Sequence, residues 1–205
     1  MNVLLLNGSP HAKGCTYTAL REVAGELEAA GIGTTLLQLG TGPVRGCIAC
    51  GRCGETGRCV FGDDPANACI EALERADGLV IGSPIYFAGP NGALLALLDR
   101  VFYAMPRARL FGKPGAAVVS CRRGGASAGF DRLNKYFTIS GMPVVSSQYW
   151  NAVHGNTPEE VRRDAEGLQT MRTLGRNMAW LLRSIEAGRV PRPEQEPRVS
   201  TNFIR

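Results

Sequence analysis

The sequence lacks any apolar run approaching the ~18 residues needed to cross a bilayer, so a membrane-spanning segment is not expected. The opening Met1-Asn2-Val3-Leu4-Leu5-Leu6-Asn7 has no positive charge and is too short for an export signal, which points to a cytoplasmic protein. A basic stripe is also missing. The net charge is only +5, and Arg122-Arg123 and Arg162-Arg163 are the sole adjacent basic pairs, so no nucleic-acid partner is expected. Internal repeats, low-complexity tracts and an acid–base triad are absent. Cysteine is the exception. Seven are present, at 15, 47, 50, 53, 59, 69 and 121, and four of them fall within residues 47–59. An odd number, crowded in this way, argues against a secreted disulfide framework and for a metal or redox role in a reducing compartment.

Apolar residues make up 44% of the chain, enough for one core. Val3–Leu6, Thr34–Leu39, Gly78–Gly82, Ala116–Ser120 and Met142–Val145 read as five short strands, the first as buried on both faces and the third as buried. Helical spacing lies between them, over Leu20–Leu27, Ile70–Arg75, Ala93–Phe102 and Ala128–Ile139. Thr157-Pro158-Glu159-Glu160 opens a last helix with an N-cap, a first-turn proline and a capping-box glutamate, and its periodicity runs on to Ile185. Strands alternating with helices imply α/β, a doubly wound, flavodoxin-like parallel sheet in the order 2-1-3-4-5. The domain is expected over 1–188, with a cysteine-rich insertion at 40–64 after strand 2 and an extended tail at 189–205. An insertion of that length needs something to organise it. Ligands of such sheets bind beyond the carboxyl ends of the strands, so the loops after strands 1, 3 and 4 matter most.

The first of these loops, Asn7-Gly8-Ser9-Pro10-His11-Ala12-Lys13-Gly14-Cys15-Thr16, combines glycines, hydroxyls and a helix N-terminus. These are the makings of an anion site, although the order is neither a Walker loop nor a dinucleotide fingerprint, and a plain connecting turn is the alternative. In the second, Ser83–Pro90, the residues Pro84, Ile85, Tyr86 and Phe87 can wall a flat ring while backbone N–H groups up to Gly89 meet a polar edge. The alternative there is a turn whose aromatics pack into the core. The third, Ser120-Cys121-Arg122-Arg123-Gly124-Gly125, offers close backbone approach at Gly124 and Gly125, and positive charge at Arg122 or Arg123, with two solvated surface arginines as the alternative.

A strand ending in Asn7-Gly8-Ser9-Pro10 with Thr16 entering a helix, together with the Ser83-Pro84-Ile85-Tyr86 segment, resembles the NADPH-dependent FMN reductase family of flavodoxin-like proteins. The resemblance covers roughly residues 1–185. It implies bound FMN, with Ser9, His11, Gly14, Cys15 and Thr16 around the phosphate and Pro84, Ile85, Tyr86, Phe87, Gly89, Ser120, Arg122, Gly124 and Gly125 around the ring. His11 and Cys15 depart from the family's usual Arg and Asn or Ser. Asp99-Arg100 resembles an Asp-Arg of the family's following helix and reads as a solvent-facing or subunit-facing ion pair.

Cys47, Cys50, Cys53 and Cys59 are spaced C-x2-C-x2-C-x5-C. Two-residue gaps with intervening glycines suit a tight wrap around a cubane, whereas zinc modules usually separate two knuckles more widely. The spacing resembles the iron–sulfur flavoprotein branch of the same family, which implies a 4Fe-4S cluster on these four thiolates. Zinc, or free thiols and labile disulfides, are the alternatives. Asp63-Asp64 reads as a cap on the next helix. The expected function is an FMN-dependent oxidoreductase. NAD(P)H or a ferredoxin-type protein would be its donor, a small molecule its acceptor, and a homodimer or homotetramer its assembly. A non-catalytic electron carrier and a zinc-binding module are the alternatives.

Overall fold

The computed structural model describes residues 1–188, 190–197 and 199–201. Its elements in chain order are β1 (Asn2–Asn7), α1 (Cys15–Ala29), β2 (Gly33–Gln38), α2 (Cys53–Thr56), α3 (Ala66–Arg75), β3 (Gly78–Tyr86), β4 (Gly89–Pro90), α4 (Gly92–Ala104), α5 (Arg107–Leu110), β5 (Gly115–Cys121), α6 (Ala126–Ile139), β6 (Ala152–His154), α7 (Pro158–Arg163) and α8 (Ala165–Gly188). The parallel strands lie in the order β2-β1-β3-β5-β6. This is the doubly wound order expected, with the two-residue β4 added as an antiparallel partner to the end of β3.

Helices cover both faces of the sheet. Val3 and Leu5 of β1 face α1 and α8, while Leu4 and Leu6 face α3, α4 and α6. All four are fully buried, which explains why the run is continuous rather than alternating. Asp77 accepts the Asn2 N–H at 2.7 Å and ties the start of β1 to the turn before β3. No described helix is long and apolar enough to cross a membrane.

Three elements differ from expectation. Met142–Val145 is not a strand. Only Val144 makes an isolated bridge, to Gly115, and the fifth parallel strand is Ala152–His154, anchored by the buried Asn151, whose amide donates to the Ala117 carbonyl at 3.0 Å. Ser83–Pro90 is not a loop but continues β3 into a tight hairpin, pairing Ile85 with Pro90 and Tyr86 with Gly89. The last helix is broken at Asp164. Thr157 caps α7 as expected, accepting from the Glu160 N–H at 3.3 Å. Asp164 then starts α8 by accepting from Gly167 N–H at 2.9 Å, and its other oxygen accepts the His154 N–H of β6 at 2.7 Å. An aspartate with a capping role on one side and a strand edge on the other favours a break that the apolar spacing does not signal. Of the tail expected at 189–205, residues 189, 198 and 202–205 lie outside the described residues. The described part has no helix or strand, but it touches the body where Arg192 donates to the Phe111 carbonyl.

Candidate functional site at the carboxyl rim

The chain reversals after β1, β3 and β5 touch one another at the carboxyl ends of the strands. Helix α1 starts after Gly14 with no side-chain cap, so its first-turn N–H groups and dipole face outward, ready for an anion. The turn leading to it is held from within. Buried Ser9 donates its N–H to Asn7 Oδ1 at 3.2 Å, its hydroxyl accepts the His11 N–H at 3.1 Å, and Gln38 Nε2 donates to its carbonyl at 2.6 Å. Ser9 therefore shapes the loop. His11, Gly14 and Cys15 line an open hollow of about 500 Å³ with Lys13, and Asn156 and Pro158 form its far wall. Burial pushes the Cys15 thiol up, so it stands as a neutral wall, 3.7 Å from the Gly155 carbonyl.

Thr16 and Ser120 share a hydrogen bond of 2.8 Å between buried hydroxyls, joining the first reversal to the end of β5. Pro84 lies beside Ser120 in the sheet register. Gly125 has φ +86, and a Cβ there would stand 2.9 Å from Ala88 Cα, so only glycine lets the third reversal close onto the hairpin. Gly8 is equally confined: a Cβ would stand 2.8 Å from the Gly82 carbonyl oxygen. Asn91 completes the frame. Its Oδ1 accepts the Ala93 N–H and caps α4, its Nδ2 donates to the Gly8 carbonyl at 2.8 Å, and its own N–H reaches Ser83 Oγ at 3.0 Å.

The expected site residues do not all line one hollow. Gly124 and Gly125 border a separate pocket of about 370 Å³ with Tyr149, Trp150, His154 and Glu166. Ser9, Thr16, Pro84, Ile85, Tyr86, Phe87, Gly89, Ser120 and Arg122 line neither hollow. Tyr86 and Phe87 do not pack into the core either. They project from the hairpin, Phe87 wholly exposed, with Phe87 and Ala88 both left-handed at φ 51° and 61°. Two-residue hairpin turns of this kind favour Asn-Gly, and each non-glycine residue so placed costs of order 1 kcal/mol or more. Sequence reasoning missed Asn91, Asn156 and Trp150. Asn91-Gly92 before an apolar helix is a capping signal that could have flagged the first; the other two carried none.

In the insertion, Cys47, Cys50, Cys53 and Cys59 ring one small cavity with Phe61, Tyr103 and Arg100. Burial raises the Cys53 thiol, and the three neighbouring thiols raise it further. All seven cysteines are free. Among the described residues no three Cys, His, Asp or Glu side chains reach the spacing of ligands to a single ion. Cys69 is buried elsewhere, its thiol pushed up to about 12 by burial, and is inert.

What organises the insertion is Arg100, contrary to its expected exposure. Its side chain is 1% exposed and forms an ion pair with Asp64, equally buried. It is Asp99 that remains at the surface, bonded to Tyr136 and Arg132. Burial alone would push the Asp64 carboxyl up, but Arg100 and the N–H groups of Ala66 and Arg45 hold it below the usual range. The N-cap position of α3 is Pro65, without a side-chain cap, so Asp63-Asp64 is not the cap expected; Asp64, one residue earlier, accepts the Ala66 N–H at 3.1 Å and receives the guanidinium, while Asp63 pairs with Arg45 at 2.9 Å.

The family model described as NADPH-dependent FMN reductase matches residues 1–157. An iron-sulfur flavoprotein of Methanocaldococcus jannaschii is 32% identical over 193 residues, covering 91% of this chain and 100% of the relative. One of Methanosarcina thermophila is 30% identical over 196 residues, covering 92% and 99%. Among solved structures, RosB with a bound 8-demethyl-8-formylriboflavin-5'-phosphate intermediate superposes with a TM-score of 0.69 at 18% identity, over 100% of this chain and 94% of that one. A flavodoxin from the domain Archaea gives 0.60 at 14% identity, over 89% and 99%. At these identities the two structures speak for the fold alone, which is flavodoxin-like.

Proposed function

Since the chain belongs to the NADPH-dependent FMN reductase family, we propose that it is an oxidoreductase working through FMN at the carboxyl rim, with a 4Fe-4S cluster on Cys47, Cys50, Cys53 and Cys59 as a second redox centre. The observation that carries this reading is the direct contact of three reversals, through Thr16–Ser120, Gly125–Ala88 and Asn91–Gly8. FMN would supply hydride and single-electron chemistry that no side chain here offers. The uncapped first turn of α1 and His11 would hold its phosphate. Ile85 and the backbone of Gly124 and Gly125 would border its ring, and the adjoining 370 Å³ pocket, walled by Tyr149 and Trp150, gives a small planar acceptor a place to lie. The relatives are named iron-sulfur flavoproteins, which supports the cluster, as does the four-thiol ring. NAD(P)H or a ferredoxin-type protein is the proposed donor, and a homodimer or homotetramer the proposed assembly.

Anaerobic purification followed by flavin, iron and sulfide analysis tests this. About one FMN, four iron and four sulfide per chain are expected. Colourless protein that stays colourless after FMN addition overturns the flavin reading. Steady-state oxidation of NADPH or NADH then separates an enzyme from a passive carrier.

A further inference from the structure

Of the four thiols at the insertion, Cys59 alone among the described contacts receives a hydrogen bond from a charged side chain. Arg100 Nε donates to Cys59 Sγ at 3.1 Å. Three further contacts hold the rest of the guanidinium: Nη1 donates to the Arg45 carbonyl at 3.1 Å and to Asp64, and Nη2 to the Phe61 carbonyl at 3.4 Å. The Phe61 ring lies 5.4 Å from the guanidinium carbon. The Cys59 backbone is clamped from the other side, where Asn67 Oδ1 accepts its N–H at 2.9 Å and Asn67 Nδ2 donates to its carbonyl at 3.0 Å. The planar fork thus has one fixed orientation, with its Nε–H aimed at sulfur. A structural tie alone requires only the carbonyls and Asp64.

We propose that Arg100 is a positioning residue that presents Cys59 to the cluster and raises the cluster's reduction potential, with the Asp64 carboxylate as the opposing charge. This rests on the cluster reading above. Reduction adds one electron, hence one negative charge, to the thiolate-bound cluster. A charge-assisted N–H to a ligating sulfur stabilises that charge more in the reduced than in the oxidised state. A negative carboxylate behind the guanidinium acts in the opposite sense. The two partners of one ion pair therefore have opposite effects on the potential, although breaking either one loosens the same contact.

The test is a potentiometric titration of the anaerobically purified, full-length holoprotein, read by the spectroscopic signal of the reduced cluster, with iron content and thermal melting measured alongside. Arg100→Gln should lower the potential. At a fixed ambient potential the reduced-to-oxidised ratio should fall about tenfold, equivalent to ~59 mV for a one-electron couple. Asp64→Asn should raise the potential. Arg100→Lys, which keeps the charge but lacks the Nε fork, should lie between wild type and Arg100→Gln. Shifts of the same sign in Arg100→Gln and Asp64→Asn, or no shift with iron retained, overturn the proposal. Should Arg100→Gln fail to load iron, the other two variants decide: a fall in Arg100→Lys with a rise in Asp64→Asn supports it, and any other pair of results overturns it. Wild-type protein that holds flavin but no iron or sulfide removes the cluster reading itself, a failure visible before any variant is made.

Discussion

At Gly125 a single missing Cβ decides whether two reversals can meet. The residue is left-handed, and the atom a Cβ would strike is backbone, which cannot swing aside as a side-chain tip could. Gly125→Ala should therefore push the β5–α6 reversal off the hairpin and weaken flavin binding roughly tenfold, about 1.4 kcal/mol, while leaving the sheet folded. Flavin fluorescence titration against a circular dichroism control reads this, and unchanged affinity would count against the cradle. Residue-scale features of this kind were legible where chemistry and position coincide. Gly124, Gly125, Ser120 and Thr16 stand out because glycines and hydroxyls follow buried strands. Arg100 was misread because an arginine beside an aspartate on a helix is usually solvated, and nothing local says that Asp64, 36 residues earlier, returns to receive it.

Among the elements, α3 ends without glycine and is closed from a distance. Lys113 Nζ donates to the carbonyls of Leu73, Glu74 and Ala76 at 2.7, 3.2 and 2.6 Å. Carbonyls at a helix C-terminus lack the full set of intrahelical partners, Leu73 keeping only the Ala76 N–H at 3.3 Å, and the ammonium also meets the negative end of the dipole. Lys113→Ala should cost about 1–3 kcal/mol in denaturant unfolding, with the m-value unchanged. Strand and helix identity was largely readable because β1, β3 and β5 are apolar on both faces. The errors came where that signal fails. Met142–Val145 has strand composition, yet it offers only one bridge. The true edge strand, Ala152–His154, is three residues long and is held by Asn151 and Asp164 rather than by its own pattern. The helix break at Asp164 was hidden because hydrophobic spacing continues across it.

For the whole molecule, the insertion is an attachment and not a wall of the core. From 40 to 65 every residue is at least partly exposed, the side chain of Asp64 alone being enclosed by its pairing with Arg100, and the ends of the insertion already meet, the Arg45 N–H reaching Asp64 Oδ2 at 3.3 Å. Replacing residues 46–60 by a short Gly-Ser linker should leave a folded protein that binds flavin and contains no iron. Loss of flavin or insolubility would show the two sites to be structurally inseparable. The sheet order was legible because few arrangements suit five alternating strands. The spacing between the sites was not legible, because it depends on α4.

Helix α4 is latched to Gly8 through Asn91 at its start and sits under the cysteine ring through Arg100 in its second half, a rise of about 13 Å along a stiff rod. Both latches are directional polar contacts, so the rod has little freedom to slip against either. A tilt or slide that loosens one grip must drag on the other, which gears the two halves of the molecule together mechanically.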